Sequence, residues 1–100
     1  MDETLYPPVH PGEILRDEFL TPLGISAYRL AQATGLSQTH LGQILRGRRS
    51  ITPHAALRLS KALGLSERYW LTAQNGYDIE VERSRDAAAL AEVTVLVGAA

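Results

Sequence analysis

The chain has no cysteine among its 100 residues, which excludes a disulfide framework, a thiolate metal site and a cysteine nucleophile. It also lacks any apolar run close to the roughly 18–20 residues that a membrane-spanning helix needs. Its amino terminus, MDETLYPPVHPGE, opens with acidic residues rather than with the basic and then apolar order of a signal peptide. We therefore expect a cytoplasmic chain that does not associate with a membrane.

The motifs that mark common enzyme classes are missing as well. There is no glycine-rich phosphate-binding loop, no HExxH and no Ser/His/acid set at a suggestive spacing. The histidines, His10, His40 and His54, are far apart in the chain and have no cysteine to complete a metal site. One small domain with 45% apolar residues also leaves little room for a substrate pocket. We predict no enzyme, no cofactor and no metal.

The charges are unevenly distributed, although the formal net charge is only −1. Residues 37–68 carry a net charge of +5, whereas residues 1–36 and residues 69–100 each carry −3. A localised basic face, and not the total charge, decides whether a protein attracts the phosphates of nucleic acid. The acidic ends can face a basic partner or be solvated surface.

Residues 27–49 contain the pattern around which the rest of the chain is organised. Apolar or small residues recur at helical spacing on both sides of Gly35, at Ala27, Leu30, Ala31 and Thr34 and then at Leu41, Ile44 and Leu45. Gly35 can adopt a positive φ angle at the end of the first of these helices, and Ser37 can cap the second. Two short helices joined by such a turn predict a helix-turn-helix unit, whose second helix enters the DNA major groove.

The outward face of that second helix is polar and carries no acid. We predict a DNA-binding surface made of Ser37, Gln38, Thr39, His40, Gln43, Arg46, Arg48 and Arg49. Gln38 is the strongest candidate for a base contact, because glutamine can bond adenine through two atoms, and Thr39 and Gln43 come next. The three arginines are expected to hold phosphates. The roles of two residues are left open: Ser37 caps the helix or bonds a phosphate, and His40 contacts a phosphate or is an exposed residue without a function.

The other helices follow from similar signals. The first helix is expected to begin near Pro11 and to end in the segment TPLG at residues 21–24. The third helix is expected to span about Gln38–Leu45. The fourth helix is expected to span Pro53–Leu63, with Thr52 as its N-cap. Ser66 is expected to cap a fifth helix, which runs through Gly76 to about Glu82. In it, Tyr69 and Trp70 are core or dimer anchors. The prediction is an all-α chain with an arm at residues 1–10, a five-helix domain at residues 11–82 and a tail at residues 83–100. The tail is helix or edge strand, and a possible dimer contact.

Three segments carry a resemblance to a known family. They are HPGEIL at residues 10–15, RSITPHAALRLSKALG at residues 49–64, and YWLTAQNGYDIE at residues 69–80. With the five-helix order, they resemble the Cro/C1-type (XRE) helix-turn-helix family with its lambda-repressor-like fold, and within it the HigA-type (VapI-like) antitoxins. The chain departs from that pattern at Thr72-Ala73, where an Asn-Leu pair is usual, and at Gly76.

The resemblance implies a homodimeric repressor that binds double-stranded operator DNA of its own toxin–antitoxin operon. It also implies a HigB-like toxin, a small basic ribonuclease that cleaves messenger RNA, as a partner. The arm and first helix, with Glu13, Asp17 and Glu18, can meet such a toxin or be solvated acids. Two alternatives remain: a stand-alone repressor of the same type without a toxin, and an interaction adaptor that has lost DNA binding.

Overall fold

The computed structural model describes residues 7–98, so most of the predicted arm (residues 1–6) and the last two residues of the tail lie outside the described residues. Every element is helical, and residues 7–98 contain no strand. The elements are α1 (Pro11–Ile14), a π-helical segment (Leu15–Leu20), α2 (Thr21–Leu23), α3 (Ala27–Thr34), α4 (Gln38–Leu45), α5 (Pro53–Leu63), α6 (Tyr69–Arg85) and α7 (Ala87–Ala91). The first three segments follow one another directly and form the predicted first helix. The all-α fold with five main helices is therefore confirmed, and α7 follows them.

The first helix contains a wide turn that the sequence analysis did not predict. The Thr21 N–H donates to the carbonyl of Arg16, five residues earlier, instead of to a carbonyl four residues earlier. Pro22 explains the change, because a proline inside a helix has no N–H and its ring collides with the carbonyl four residues before it. The helix ends at Leu23, inside the predicted terminating segment, and Gly24 follows with a φ of +65°.

The helix-turn-helix unit sits over the core as predicted. Helix α3 packs against α4 and α5, and α1 contacts α4 and α6. Leu41 and Ile44 of α4 are fully buried, and in α3 Thr34 is buried with its hydroxyl donating to the Leu30 carbonyl at 2.8 Å. Ala27 was expected on the buried stripe but is exposed, because it lies in the first turn, before the helix reaches the core.

The helix ends confirm the predicted caps only in part. The Ser37 hydroxyl accepts from the His40 N–H at 3.0 Å, and Gly35 takes a φ of +79°. Thr52 occupies the predicted N-cap position of α5, but its side chain makes no capping hydrogen bond. Ser66 was expected to cap the fifth main helix and instead accepts from the Arg68 N–H, because a turn separates it from the helix, which begins three residues later at Tyr69.

Helix α6 and the tail carry exposed apolar side chains. The helix runs through Gly76 and continues to Arg85, three residues beyond the expected end at Glu82. The tail forms the short helix α7 and then has no regular secondary structure up to residue 98. Its exposed large apolar residues are Leu90, Val93, Val95, Leu96 and Val97. Within residues 7–98, no helix is both long and apolar enough to cross a membrane.

Candidate nucleic-acid interface

Helix α4 separates its apolar and polar side chains. Leu41 and Ile44 have no exposed surface, whereas Gln38 and Thr39 on the opposite side are exposed and Gln43 is half-buried. Ser37 is exposed as well, but its hydroxyl already serves the cap, which favours the first of its two interpretations. The packing of two apolar side chains thus fixes the helix with its polar face outward, as direct reading of base edges requires.

His40 differs from the expected exposed residue. It is half-buried, and within the described part of the chain its Nε2 atom is buried without a hydrogen-bond partner. Burial lowers the pKa of His40, and the nearby positive charge of Arg49 lowers it further. The neutral form of the ring is therefore favoured at pH 7.

The loop after α4, which we call the arginine loop (residues 46–51), carries the predicted phosphate contacts. Gly47 adopts a φ of +73° and donates its N–H to Ile44, while the Arg48 N–H donates to the Gln43 carbonyl at 2.8 Å. These bonds turn the chain back onto α4. The Arg49 guanidinium donates to Gln43 Oε1 at 3.1 Å, which brings a predicted phosphate contact and a predicted base contact together.

All three predicted arginines, Arg46, Arg48 and Arg49, are exposed. Arg46 lies at the C-terminal end of α4, and its guanidinium runs beside Gly42, whose hypothetical Cβ would lie 3.3 Å from it. Of the eight predicted site residues, Ser37 lies directly before α4 as its N-cap, and the other seven lie on α4 or in the arginine loop that follows it. Their roles toward DNA stay predictions.

Gln74 supports the arginine loop from behind and was missed by the sequence analysis. It lies on α6, is only 3% exposed, and its Oε1 accepts from the Ile51 N–H at 2.8 Å. Its Nε2 donates to Asp78 at 2.9 Å. Gln74 stands four residues after the buried Trp70, so helical spacing on the face of that tryptophan was the available signal.

His10 supports the same loop from the opposite end of the chain. Its Nδ1 accepts from the Gly12 N–H at 2.9 Å, its ring meets Tyr77 edge to face with 4.9 Å between the ring centroids, and a Cβ at Gly47 would lie 3.7 Å from the ring. Burial lowers the pKa of His10, whereas Asp78, the Arg49 backbone and Glu13 act in the opposite direction.

Gly12 explains why HPGEIL needs a glycine. A Cβ at this position would lie 1.8 Å from the backbone oxygen of Ile44 in α4, closer than any real contact. The first helix therefore touches the end of α4 through bare backbone. The segment HPGEIL, which carries part of the family resemblance, thus also has a structural role at the base of the arginine loop.

The other candidate residues fall outside this surface. Asp17 is bonded to Arg16 at 2.8 Å, which lowers the pKa of its carboxyl, while Glu13 and Glu18 are exposed. Trp70 has no exposed surface and packs edge to face on Phe19 and Tyr69, so it is a core residue. Residues 7–98 hold no group of three or more metal-ligating side chains.

Comparison with known proteins places this geometry in a family. Residues 15–70 match the helix-turn-helix family, and this range includes the whole of α3 and α4 and the arginine loop. Virulence-associated protein I of Dichelobacter nodosus is 44% identical over 75 residues, which are 75% of this chain and 69% of that protein. Antitoxin HigA-1 of Vibrio cholerae is 35% identical over 85 residues, which cover 85% of this chain and 80% of its own length.

A solved structure gives the corresponding result for the fold. The chain resembles the Pseudomonas aeruginosa antitoxin HigA, solved with the higBA promoter, with a TM-score of 0.84 and 34% identity. The similarity covers 90% of this chain and 99% of that one. It therefore extends beyond the helix-turn-helix unit to most of the helices described above.

Proposed function

The chain belongs to the helix-turn-helix family that includes Virulence-associated protein I and the HigA antitoxins, and we propose that it is an antitoxin that binds operator DNA and represses its own toxin–antitoxin operon. The observation that carries this proposal is the exposed polar face of α4, which continues directly into the exposed arginines. The homologous antitoxin solved with its promoter has the same fold. The family consists of DNA-binding regulators and not of enzymes, and we infer no catalytic activity.

The exposed position of α4 supports DNA recognition, which we assign to a homodimer. Two copies of α4 enter successive major grooves, about 34–36 Å apart, over a palindromic operator. Gln38 bonds an adenine, Thr39 and Gln43 contact neighbouring bases, and the arginines bind phosphates. Base contacts then set specificity, whereas the arginines set affinity and its dependence on salt.

The tail supplies the dimer contact in this proposal. Its side chains from residue 90 to residue 97 include Leu96 and Val97, which are 88% and 85% exposed in the single chain. Burying such apolar side chains against a second copy stabilises the dimer. Residues 11–82 then form the DNA-binding domain, and residues 83–100 form the dimer contact. Deleting residues 93–100 should make the chain monomeric in sedimentation and weaken operator binding; a truncated chain that stays dimeric would contradict this division.

A HigB-like toxin is the proposed second partner. The HigA family pairs with toxins of that type, and exposed acids such as Glu13 and Glu18 on the first helix suit a small basic ribonuclease. Both operator DNA and messenger RNA are found in the bacterial cytoplasm, where we infer that the chain acts.

The proposal is tested by expressing the chain with the product of the neighbouring reading frame. We expect the two proteins to purify together and the antitoxin to shift its own promoter fragment in a gel. Promoter binding without a co-purifying toxin would favour a stand-alone repressor. Toxin binding without promoter binding would favour an interaction adaptor, and it would contradict the assignment of α4.

A further inference from the structure

A side-chain hydrogen bond joins the arginine loop to the outward face of α4. Arg49 Nη1 donates to Gln43 Oε1 at 3.1 Å. Gln43 lies one helical turn after the exposed Thr39, on the side of α4 that we assign to base reading. A guanidinium that is proposed to bind phosphate is therefore bonded to an amide that is proposed to contact a base. This bond limits what the amide can recognise.

Further hydrogen bonds fix the backbone that carries Arg49. The Arg48 N–H donates to the Gln43 carbonyl at 2.8 Å, and the Ile51 N–H donates to the buried Gln74 at 2.8 Å. Arg49 thus lies between two backbone positions that are both held in place. A side chain on such a preorganised segment loses less conformational entropy when it forms its bonds than one on an unconstrained loop.

The bond also determines which end of the Gln43 amide is turned toward Arg49. A guanidinium carries only N–H donors, so the amide atom that faces it must be the carbonyl oxygen. The nitrogen end of the amide, with its two N–H donors, is left for DNA. Gln43 therefore offers donors to a base edge, while its acceptor is engaged and lies beside a positive charge.

The bases differ in how they respond to such a group in the major groove. Adenine pairs with glutamine through two bonds, one of which needs the amide oxygen to accept from the amino group at N6. Guanine instead presents acceptors at N7 and O6, and thymine presents one at O4. The neighbouring positive charge attracts these carbonyl oxygens and repels the amino groups of adenine and cytosine.

We propose that Arg49 is a specificity-determining residue, which engages the oxygen of Gln43 and so makes Gln43 a donor that reads guanine or thymine instead of adenine. This role rests on the proposed DNA-binding function and names the class of base that one of its residues contacts. It is compatible with a phosphate contact of the same side chain, because a guanidinium has five N–H donors.

A set of promoter duplexes tests this role. The probe is the promoter fragment upstream of the gene, in which each base pair is replaced in turn by the other three, and fluorescence anisotropy measures each affinity. Gln43→Ala identifies the base pair that Gln43 reads, as the position at which the preference of the wild type is lost. There the wild type should bind guanine or thymine about five- to 150-fold more tightly than adenine, the fold-change that corresponds to one base contact.

Arg49→Ala should change this preference and not only the affinity. Without the guanidinium, Oε1 and Nε2 of Gln43 can both bond adenine, so adenine at that base pair should gain at least about fivefold relative to guanine. Arg49 is exposed, so the variant should fold like the wild type, which circular dichroism checks. Arg48→Ala is the matched control, because it removes a neighbouring exposed arginine. It should weaken binding to all duplexes alike and leave the base preference unchanged.

Several outcomes would overturn the role of Arg49 and leave DNA binding intact. One is a wild type that prefers adenine at the base pair read by Gln43, and another is an unchanged preference in Arg49→Ala. A guanine preference that survives Gln43→Ala but disappears in Arg49→Ala would make Arg49 the base contact itself. If Gln43→Ala alters no base preference, Gln43 reads no base and the proposal fails. Failure of the wild type to bind its promoter fragment would instead reject the proposed function, and this role with it.

Discussion

The two sides of the arginine loop differ in how their side chains are held. On the front, Gln38, Thr39 and Arg48 are exposed and extend into solvent. On the back, Gln74 is buried with both ends of its amide bonded, and His10 lies against the first helix, α6 and Gly47. Residues on the front can therefore be substituted with little effect on the fold, whereas each residue on the back takes part in the packing of the fold.

This difference separates two quantities that are often measured together. Substitutions on the front should lower operator affinity and leave the free energy of unfolding unchanged. Substitutions on the back should lower the free energy of unfolding, and they should affect DNA only through the geometry of the loop. The following predictions test the separation, beginning with the largest expected effect.

Gly12→Ala should be the most damaging substitution. The added methyl would overlap the backbone oxygen of Ile44, and a backbone atom cannot rotate away. We expect a loss of about 3 kcal/mol in the free energy of unfolding, at the upper end of the usual cost of overpacking. Urea unfolding followed by circular dichroism measures the loss.

Gly76→Ala is the matched control for this substitution. Gly76 lies inside α6, and a Cβ there would meet nothing within 4 Å. Alanine favours helix over glycine by about 1 kcal/mol, so this variant should be more stable than the wild type. Equal stabilities for the two alanine variants would mean that the first helix and α4 do not meet as closely as described.

Gln74→Met tests the buried hydrogen bond behind the loop. Methionine has a similar length but no amide, so the Ile51 N–H loses its acceptor in a buried site. We expect the free energy of unfolding to fall by about 1–3 kcal/mol. Gln32→Met is the control, because Gln32 is exposed and bonds only the hydroxyl of Tyr28, and it should change stability by less than about 0.5 kcal/mol. Similar losses of stability in both variants would show that the Gln74 amide does not support the arginine loop.

The front of this interface could be predicted from the sequence, because its signals are local. The spacing of Leu41 and Ile44 fixes which side of α4 is buried, and so leaves Gln38 and Thr39 outside. Gly35 and Ser37 mark the turn by their own conformational preferences. Each of these signals lies within a few residues of the feature that it predicts.

The back could not be predicted in the same way, because its bonds join distant parts of the chain. The contact between Gln74 and Ile51 spans 23 positions, and the approach of the His10 ring to Gly47 spans 37. Nothing in the local pattern of either segment states its partner. The π-helical turn before Pro22 was missed for another reason: proline predicts a disturbed helix but not whether the helix stops or widens.

Gln38→Ala and Arg48→Ala test the division of work on the front. Removing Gln38 should weaken operator binding by about 1–3 kcal/mol and relax the preference at one base pair. Removing Arg48 should weaken operator and random DNA alike and make affinity less dependent on salt. Titrations at several salt concentrations, with both DNAs, measure these effects. Equal losses on both DNAs for both variants would contradict the assignment, as would a clear loss of folding stability in either.

The smallest expected effect is a dependence of stability on pH that arises on the back and beside α4. In the folded chain the pKa values of His10 and His40 both lie below the ordinary 6.5, mainly because of burial. Between the folded and the unfolded pKa values, the unfolded chain binds more protons than the folded chain. The two rings therefore contribute their whole stabilisation above about pH 6.5, and the free energy of unfolding declines as the pH falls below that value. Urea unfolding between pH 7.5 and pH 5 measures the decline, in a range above the lowered pKa of Asp17. His10→Asn removes one of the two rings and should make the decline shallower, whereas stability that is constant or rises on acidification would show that neither ring is held in its neutral form.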